Sequence, residues 1–227
     1  MNLLDKVPNE PRIGNRQAKG TRILAGRLAS RVYDMQETFR RVAERWGCIP
    51  VLLPTIEMSS IYTDKAGPEV SKQMYVFEDK GGRNLCLRPE VTATCQLLGL
   101  NSWRTFPDLK IWYWQNCYRY EQPQEGRYRE FRQFGVEVLN PRKDWTDDLI
   151  DLGVNLFAEF GIDSSRFIVS SGVERGLGLY EEAGFEFVAD ELGAQKQILG
   201  GGPYEGGQGF AIGVDRALLM AGEGETA

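Results

Sequence analysis

The sequence predicts an α+β fold, an antiparallel sheet flanked by helices, and three observations predict it. Runs with turn residues between them read as hairpins at 74–87, 110–140 and 185–199. Stretches of 3.6-residue periodicity stand before, between and after these hairpins, with no regular βαβ alternation. The chain has 227 residues, 42% of them apolar, enough for one substantial buried core.

Residues 1–17 mix charge, Pro, Asn and Gly without period and read as an extended or disordered lead-in. From Ile23, the positions Leu24, Leu28, Val32, Met35, Phe39, Val42 and Trp46 recur at steps of three and four, a helix with one buried stripe that Gly47 ends. Ile49–Leu53 is a short strand closed by Pro54, whose ring removes a backbone donor. Met74–Phe77 and Asn84–Leu87 form a hairpin around Gly81-Gly82, and a helix follows from about Glu90 to Leu98.

Lys110–Glu121 and Phe131–Asn140 read as two long strands joined by a polar, basic loop. In the second strand Phe134, Val136 and Val138 share one face, while Gln133, Gly135 and Glu137 share the other. The apolar face needs a helix layer. The other combines charge and aromatics, including Tyr113, which fits a polar binding floor better than a solvated face. Asp147–Phe160 reads as a helix packed on the sheet, and Phe185–Val188 pairs with Gln195–Leu199. A glycine-rich run from Gly200 to Gly209 leads into a strand at Phe210–Gly213 and a helix at Val214–Met220. The run admits a flexible linker or a backbone kept bare for close approach, and its passage straight into strand and helix favours the second. The expected boundaries are a lead-in at 1–17, one catalytic domain at 18–222 and a tail at 223–227.

Composition excludes several kinds of chemistry. There is no histidine, so no imidazole base, no Ser-His-Asp triad and no histidine-ligated metal is available. Four cysteines at 48, 86, 95 and 117 lack C-x-x-C spacing and fit reduced, partly buried thiols in a cytoplasmic protein. No window approaches the roughly 18 apolar residues of a membrane span, and the first residues lack a signal-peptide pattern. A net charge of −5 argues against strong nonspecific nucleic-acid binding, leaving room only for a local basic patch. Neither common phosphate-loop motif occurs, so a nucleotide would be held by side chains. Arg127 and Arg129, opposite Arg119 on the preceding strand, are guanidiniums suited to bidentate contact with triphosphate oxygens.

These residues resemble a known family. Tyr118-Arg119-Tyr120-Glu121, Gly126-Arg127-Tyr128-Arg129-Glu130-Phe131 and Gln133-Phe134-Gly135-Val136-Glu137 are similar to motif 2 of histidyl-tRNA synthetases, and Gly209 to Arg216 resembles motif 3. The helix ending near Trp46, with Pro54 beyond it, resembles motif 1, which implies a homodimer. Leu87-Arg88-Pro89-Glu90-Val91-Thr92 and Arg175-Gly176-Leu177 resemble elements special to the histidyl branch. The resemblance covers about residues 18 to 222 and implies a class II synthetase fold, ATP and Mg²⁺ as cofactors, and histidine as the leading substrate.

By position, the resemblance implies that Arg119 holds the α-phosphate, Glu121 the adenine amino group and Arg127 the γ-phosphate, with Phe131 and Arg216 on the two faces of adenine. Arg175 matches the arginine that stabilises charge at the α-phosphate. Glu90, Thr92 and Gln133 match positions for the α-amino group, Glu137 and Tyr180 those for the imidazole nitrogens, and Gln124 a reader of the tRNA acceptor end. No protein-built metal site is implied.

The chain also departs from the family pattern. Gly178 and Leu179 replace an acidic and an aromatic residue, Pro203 stands where arginine is usual, and Gln122 likewise. Only 37 residues separate Glu137 from Arg175, where the family carries an inserted domain, and no anticodon-binding domain is expected from this chain. Three functions stay open: activation of an amino acid for tRNA, activation for another acceptor, and a regulatory paralogue resembling the ATP phosphoribosyltransferase regulatory subunit. Together, the arginines, Glu121 and Phe131 favour activation, because a regulator needs no triphosphate clamp.

Overall fold

The computed structural model describes residues 3–63, 71–173, 183–193 and 196–222. The expected α+β architecture is present. A seven-stranded sheet runs in the order β1 (Ile49–Pro50), β5 (Leu109–Tyr118), β6 (Glu130–Leu139), β10 (Gly207–Gly213), β9 (Gln197–Tyr204), β8 (Gly184–Val188) and β7 (Ile168–Val173). Only β1 lies parallel to its neighbour. A smaller antiparallel sheet joins β2 (Ile56–Met58), β4 (Asn84–Leu87) and β3 (Tyr75–Glu78).

Helices among the described residues include α1 (Gly26–Arg45), α2 (Ser60–Thr63), α3 (Thr92–Leu100), α4 (Thr146–Glu159) and α5 (Val214–Met220). The stripe of α1 buries Val32, Met35, Phe39 and Val42 against Phe134, Val136 and Val138 of β6 and against Leu149, Leu152, Leu156 and Phe157 of α4. This is the predicted helix layer. On the opposite face, Cys95 of α3 and Val91 just before it pack with Ile111, Tyr113 and Leu139. At 1% exposure Arg88 is a buried crosslink: its guanidinium donates to the carbonyls of Leu53, Pro54 and Asn116 and to Gln115 Oε1.

Several boundaries differ from expectation. The strand expected to reach Glu121 ends at Tyr118, because Tyr120 N turns aside to donate to Gln73 O at 2.6 Å. The strand at 49–53 keeps ladder geometry for two residues, although Val51 N still reaches Trp112 O at 3.0 Å. The third helix starts at Thr92 instead of Glu90, because the Glu90 side chain accepts the free N–H groups of Thr92 and Ala93 at 2.6 and 3.0 Å.

The glycine run takes a definite place in the sheet. It is the body of a β-hairpin, Gln197–Tyr204 against Gly207–Gly213, and so not a flexible linker. Its bare backbone accommodates this chain's own side chains. A Cβ on Gly201 would stand 2.5 Å from Phe185 Cζ and from Gly209 O, and one on Gly207 would overlap the Tyr204 ring. Strands β2 and β7 are additional to the sequence reading; each is short or has an exposed face, and so lacks a long apolar run.

Candidate active site

Strand register decides what meets at the centre. Glu137 of β6 pairs with Ile111 of β5 on one side and Gly209 of β10 on the other. Its carboxyl group is fully buried and receives three hydroxyls: Thr92 Oγ1 at 3.1 Å and Tyr113 OH at 3.3 Å on Oε1, and Tyr204 OH at 3.0 Å on Oε2. Gly209 is the residue that makes room, since a Cβ there would overlap Glu137 Oε2 and lie 2.5 Å from Val136 O. Tyr204 was not among the sequence-predicted site residues; the register Tyr204↔Gly207, beside Gly209, brings it in.

Burial pushes the Glu137 carboxyl up to about 8, the three hydroxyls opposing the shift and the neighbouring Glu90 carboxyl adding to it. Glu90, also buried, is raised by burial while its helix-capping bonds and the charge of Arg119 pull the other way. Behind it, Glu57 accepts from Tyr62 OH and Thr94 Oγ1, and Tyr62 OH also donates to Glu90 O at 3.2 Å. Thr92 thus joins the two acidic residues, with its N–H on Glu90 and its hydroxyl on Glu137.

The pH consequence has a definite sign. Folded Glu137 binds its proton more tightly than an unfolded glutamate, whose pKa is about 4.3, so its contribution to stability is full at low pH and is lost as pH rises towards about 8. Glu137→Gln is expected to remove this slope, at most ~1.4 kcal/mol per pH unit between those limits. Urea unfolding of both proteins at pH 5.5 and 8.5 checks it: the variant should gain stability relative to the parent at the higher pH. Parallel pH profiles would contradict the assignment. Glu90 is coupled to Glu137, so the difference between the two profiles reports the titration of the pair.

Arg119 lies near this buried cluster, close enough for its charge to act on Glu90. Arg119 donates through Nε to Pro89 O at 2.8 Å, and its guanidinium stands 5.3 Å over the Phe131 ring. Arg216 donates to Gly126 O at 3.0 Å and to Gln197 O at 2.7 Å, which fastens α5 to the loop between β5 and β6. Its pKa falls to about 10, first from burial and then from the charges of Arg119 and Arg127. Crowded guanidiniums are costly alone, and an anionic ligand would offset that cost.

Arg127 and Glu121, expected on separate parts of a nucleotide, are ion-paired with each other. Arg129 leaves the group, donating to Glu121 O at 3.0 Å and stacking 3.9 Å over Tyr120. Gln133 accepts the Cys117 thiol at 3.1 Å. Gln124 is exposed near the loop tip and borders a cleft of about 430 Å³ with Glu191, Leu192, Arg216 and Leu219. Arg175 and Tyr180 lie outside the described residues. Among the described residues no group of three or more carboxylate or cysteine side chains forms a metal cage, and no helix is long and apolar enough to cross a membrane. The four cysteines are free and buried.

A family model described as Histidyl-tRNA synthetase matches residues 20–173. A histidine–tRNA ligase of Methanosarcina acetivorans is 37% identical over 199 residues, 79% of this chain but 48% of that protein. The chain therefore spans about half the length of this relative. One from Archaeoglobus fulgidus is 30% identical over 302 aligned positions, 87% of this chain and 74% of that protein. That alignment is longer than the 227 residues here, so the relative carries long segments with no counterpart in this chain. Among solved structures, one from Bacillus halodurans titled as an ATP phosphoribosyltransferase regulatory subunit/histidyl-tRNA synthetase aligns with a TM-score of 0.76 at 16% identity. It covers 94% of this chain and 85% of that one, and at such identity it shows the fold.

Proposed function

The chain belongs to the histidyl-tRNA synthetase family, and on that premise we propose that it activates histidine with ATP to the aminoacyl-adenylate, for transfer to the acceptor end of a tRNA. The observation that carries the reading is the buried Glu137 with its three hydroxyl neighbours, set beside a cluster of arginines. A pocket whose polar groups are all internally paired accepts a ligand only if that ligand replaces the lost bonds. An imidazole does so by taking up the proton that Glu137 holds and donating a ring N–H to the carboxylate so formed.

In this reading, Glu90, Thr92 and Gln133 receive the α-amino group. Arg119, Arg127 and Arg216 hold the phosphates and base, with Phe131 on the other face of adenine and Glu121 at its amino group. The Arg127–Glu121 ion pair opens when the nucleotide enters. Mg²⁺ arrives on the triphosphate, in keeping with its preference for phosphate oxygens and water. The substrate carboxylate attacks the α-phosphorus and pyrophosphate leaves. Arg119 and Arg175 stabilise the charge that develops there, a task of positioning and electrostatics that needs no imidazole on the enzyme. Gln124 stands where an acceptor end would approach, and Tyr180 would close the imidazole site.

A second copy of the chain belongs to the same reading. Leu52 is 90% exposed, and Ile49, Ile56 and Met58 add apolar surface along the edge that follows α1. The reading places the reaction in the cytoplasm. The test is amino-acid-dependent ATP–pyrophosphate exchange over all standard amino acids, with the mass of the same sample read by light scattering. Exchange with histidine and a dimeric mass are expected. Exchange with another amino acid alone would remove the substrate assignment; exchange with none would favour a regulatory role, and a monomer would remove the pairing.

A further inference from the structure

Residues 11–33 hold six arginines and lysines and not one aspartate or glutamate, in a chain whose net charge is −5. Four of them, Arg12, Arg16, Lys19 and Arg22, stand before α1, where the chain reverses its general character. This segment is also held in place. Asn9 O accepts Ala25 N at 2.8 Å, Arg22 pairs with Glu10 and Asp215, and the Arg22 guanidinium stacks 3.6 Å over Tyr128. Gly20 O accepts Arg129 N at 2.8 Å, and Gly20 is packed so closely that a Cβ there would stand 2.9 Å from Pro123 Cγ. These bonds lay the segment along the β5–β6 loop, the loop that carries Gln124 and Arg127.

Arg22 is taken up by this anchoring, but Arg12, Arg16 and Lys19 are exposed, and among the described residues none of the three has an ion-pair partner. Three unpaired cations on a fixed segment, next to a loop whose tip is open, lie where a chain of phosphates would pass if its end entered the pocket. A membrane surface would also attract cations. Ile13 beside Arg12 is 58% exposed and would serve such a surface; the bonds that fix the segment against the β5–β6 loop favour a polyanion whose end reaches that loop.

We infer that the segment 11–20 is an RNA-backbone docking arm, in which Arg12, Arg16 and Lys19 contact phosphates of the acceptor arm. This rests on the tRNA part of the proposed function. It supplies an electrostatic footprint within the catalytic body itself, fixed through Arg22, Gly20 and Asn9 to the elements that form the pocket. Such contacts position the RNA and carry no base information.

The experiment compares the full chain with the triple variant Arg12→Gln, Arg16→Gln, Lys19→Gln. The probe is a short RNA hairpin with a single-stranded CCA end, and binding is titrated by fluorescence anisotropy over a range of salt concentrations. Losing up to three phosphate contacts is expected to reduce the slope of log K against log salt by about 2 to 3, weakening binding most at low salt. Amino-acid-dependent pyrophosphate exchange, measured on the same preparations, is expected to stay unchanged, since none of the three residues touches the pocket.

An unchanged salt slope would overturn the arm. So would no RNA binding by the unaltered chain, or a loss confined to vesicles of anionic lipid. Failure of exchange in the unaltered chain would instead strike the activation reading and leave the salt comparison intact.

Discussion

Gly209→Ala is expected to reduce histidine-dependent pyrophosphate exchange by about 100-fold or more, the scale of a roughly 1 Å misplacement in a reacting site. The added methyl meets two things that cannot both yield. One is Glu137 Oε2, held by Tyr204; the other is Val136 O, part of the ladder between β6 and β10. Either the carboxyl rotates out of its hydroxyl cradle or the two central strands separate. The overpacking should also cost about 1–3 kcal/mol in stability. Gly213→Ala is the control four residues along, where the new methyl would meet nothing nearer than Arg216 Cδ at 3.8 Å. Full activity in Gly209→Ala would mean that Glu137 does not define the pocket.

The second large effect is structural. Arg88→Met is expected to destabilise the protein by several kcal/mol, at about 1–3 kcal/mol for each buried acceptor left without a donor. Methionine fills much of the volume but donates no hydrogen bond. The carbonyls of Leu53, Pro54 and Asn116 would then stay buried without the donor they now share. These three carbonyls belong to the chain after β1 and to β5, so the loss falls on the junction between the small sheet and the large one. Urea denaturation at constant pH measures it. A cost below about 1 kcal/mol would show that water replaces the guanidinium there.

How far the sequence could be read depended on the range of the interaction. The α1 stripe, the alternation along β6 and the turn residues of the hairpins are local signals, and each matched an element to within a few residues. Glu90, Thr92 and Glu137 were individually legible, and the structure brings them together through Thr92. What could not be read depends on pairing between distant strands. Tyr204 and Gly209 join Glu137 only through the β9–β10–β6 register, which no local pattern encodes. The glycine run was read as a site for close approach because composition shows where Cβ atoms are missing, without showing what fills the space. The end of β5 was misjudged because the hydrogen bond that diverts Tyr120 comes from Gln73, far back in the chain.

The same register has a consequence during synthesis. Tyr204, one of the three hydroxyl partners of Glu137, lies 67 residues further along the chain. At a ribosomal rate of about 5–20 residues per second, that interval lasts roughly 3 to 13 seconds. Meanwhile β6 has an open edge towards the missing β10, a template for pairing with another nascent chain. In that half-made state Glu137 lacks Tyr204 and the β10 strand that complete its burial, and a glutamate open to water, with a pKa of about 4.3, is ionised at neutral pH. The side chain that folding later buries and drives towards the protonated form therefore carries, on the unfinished strand, a negative charge that opposes premature association.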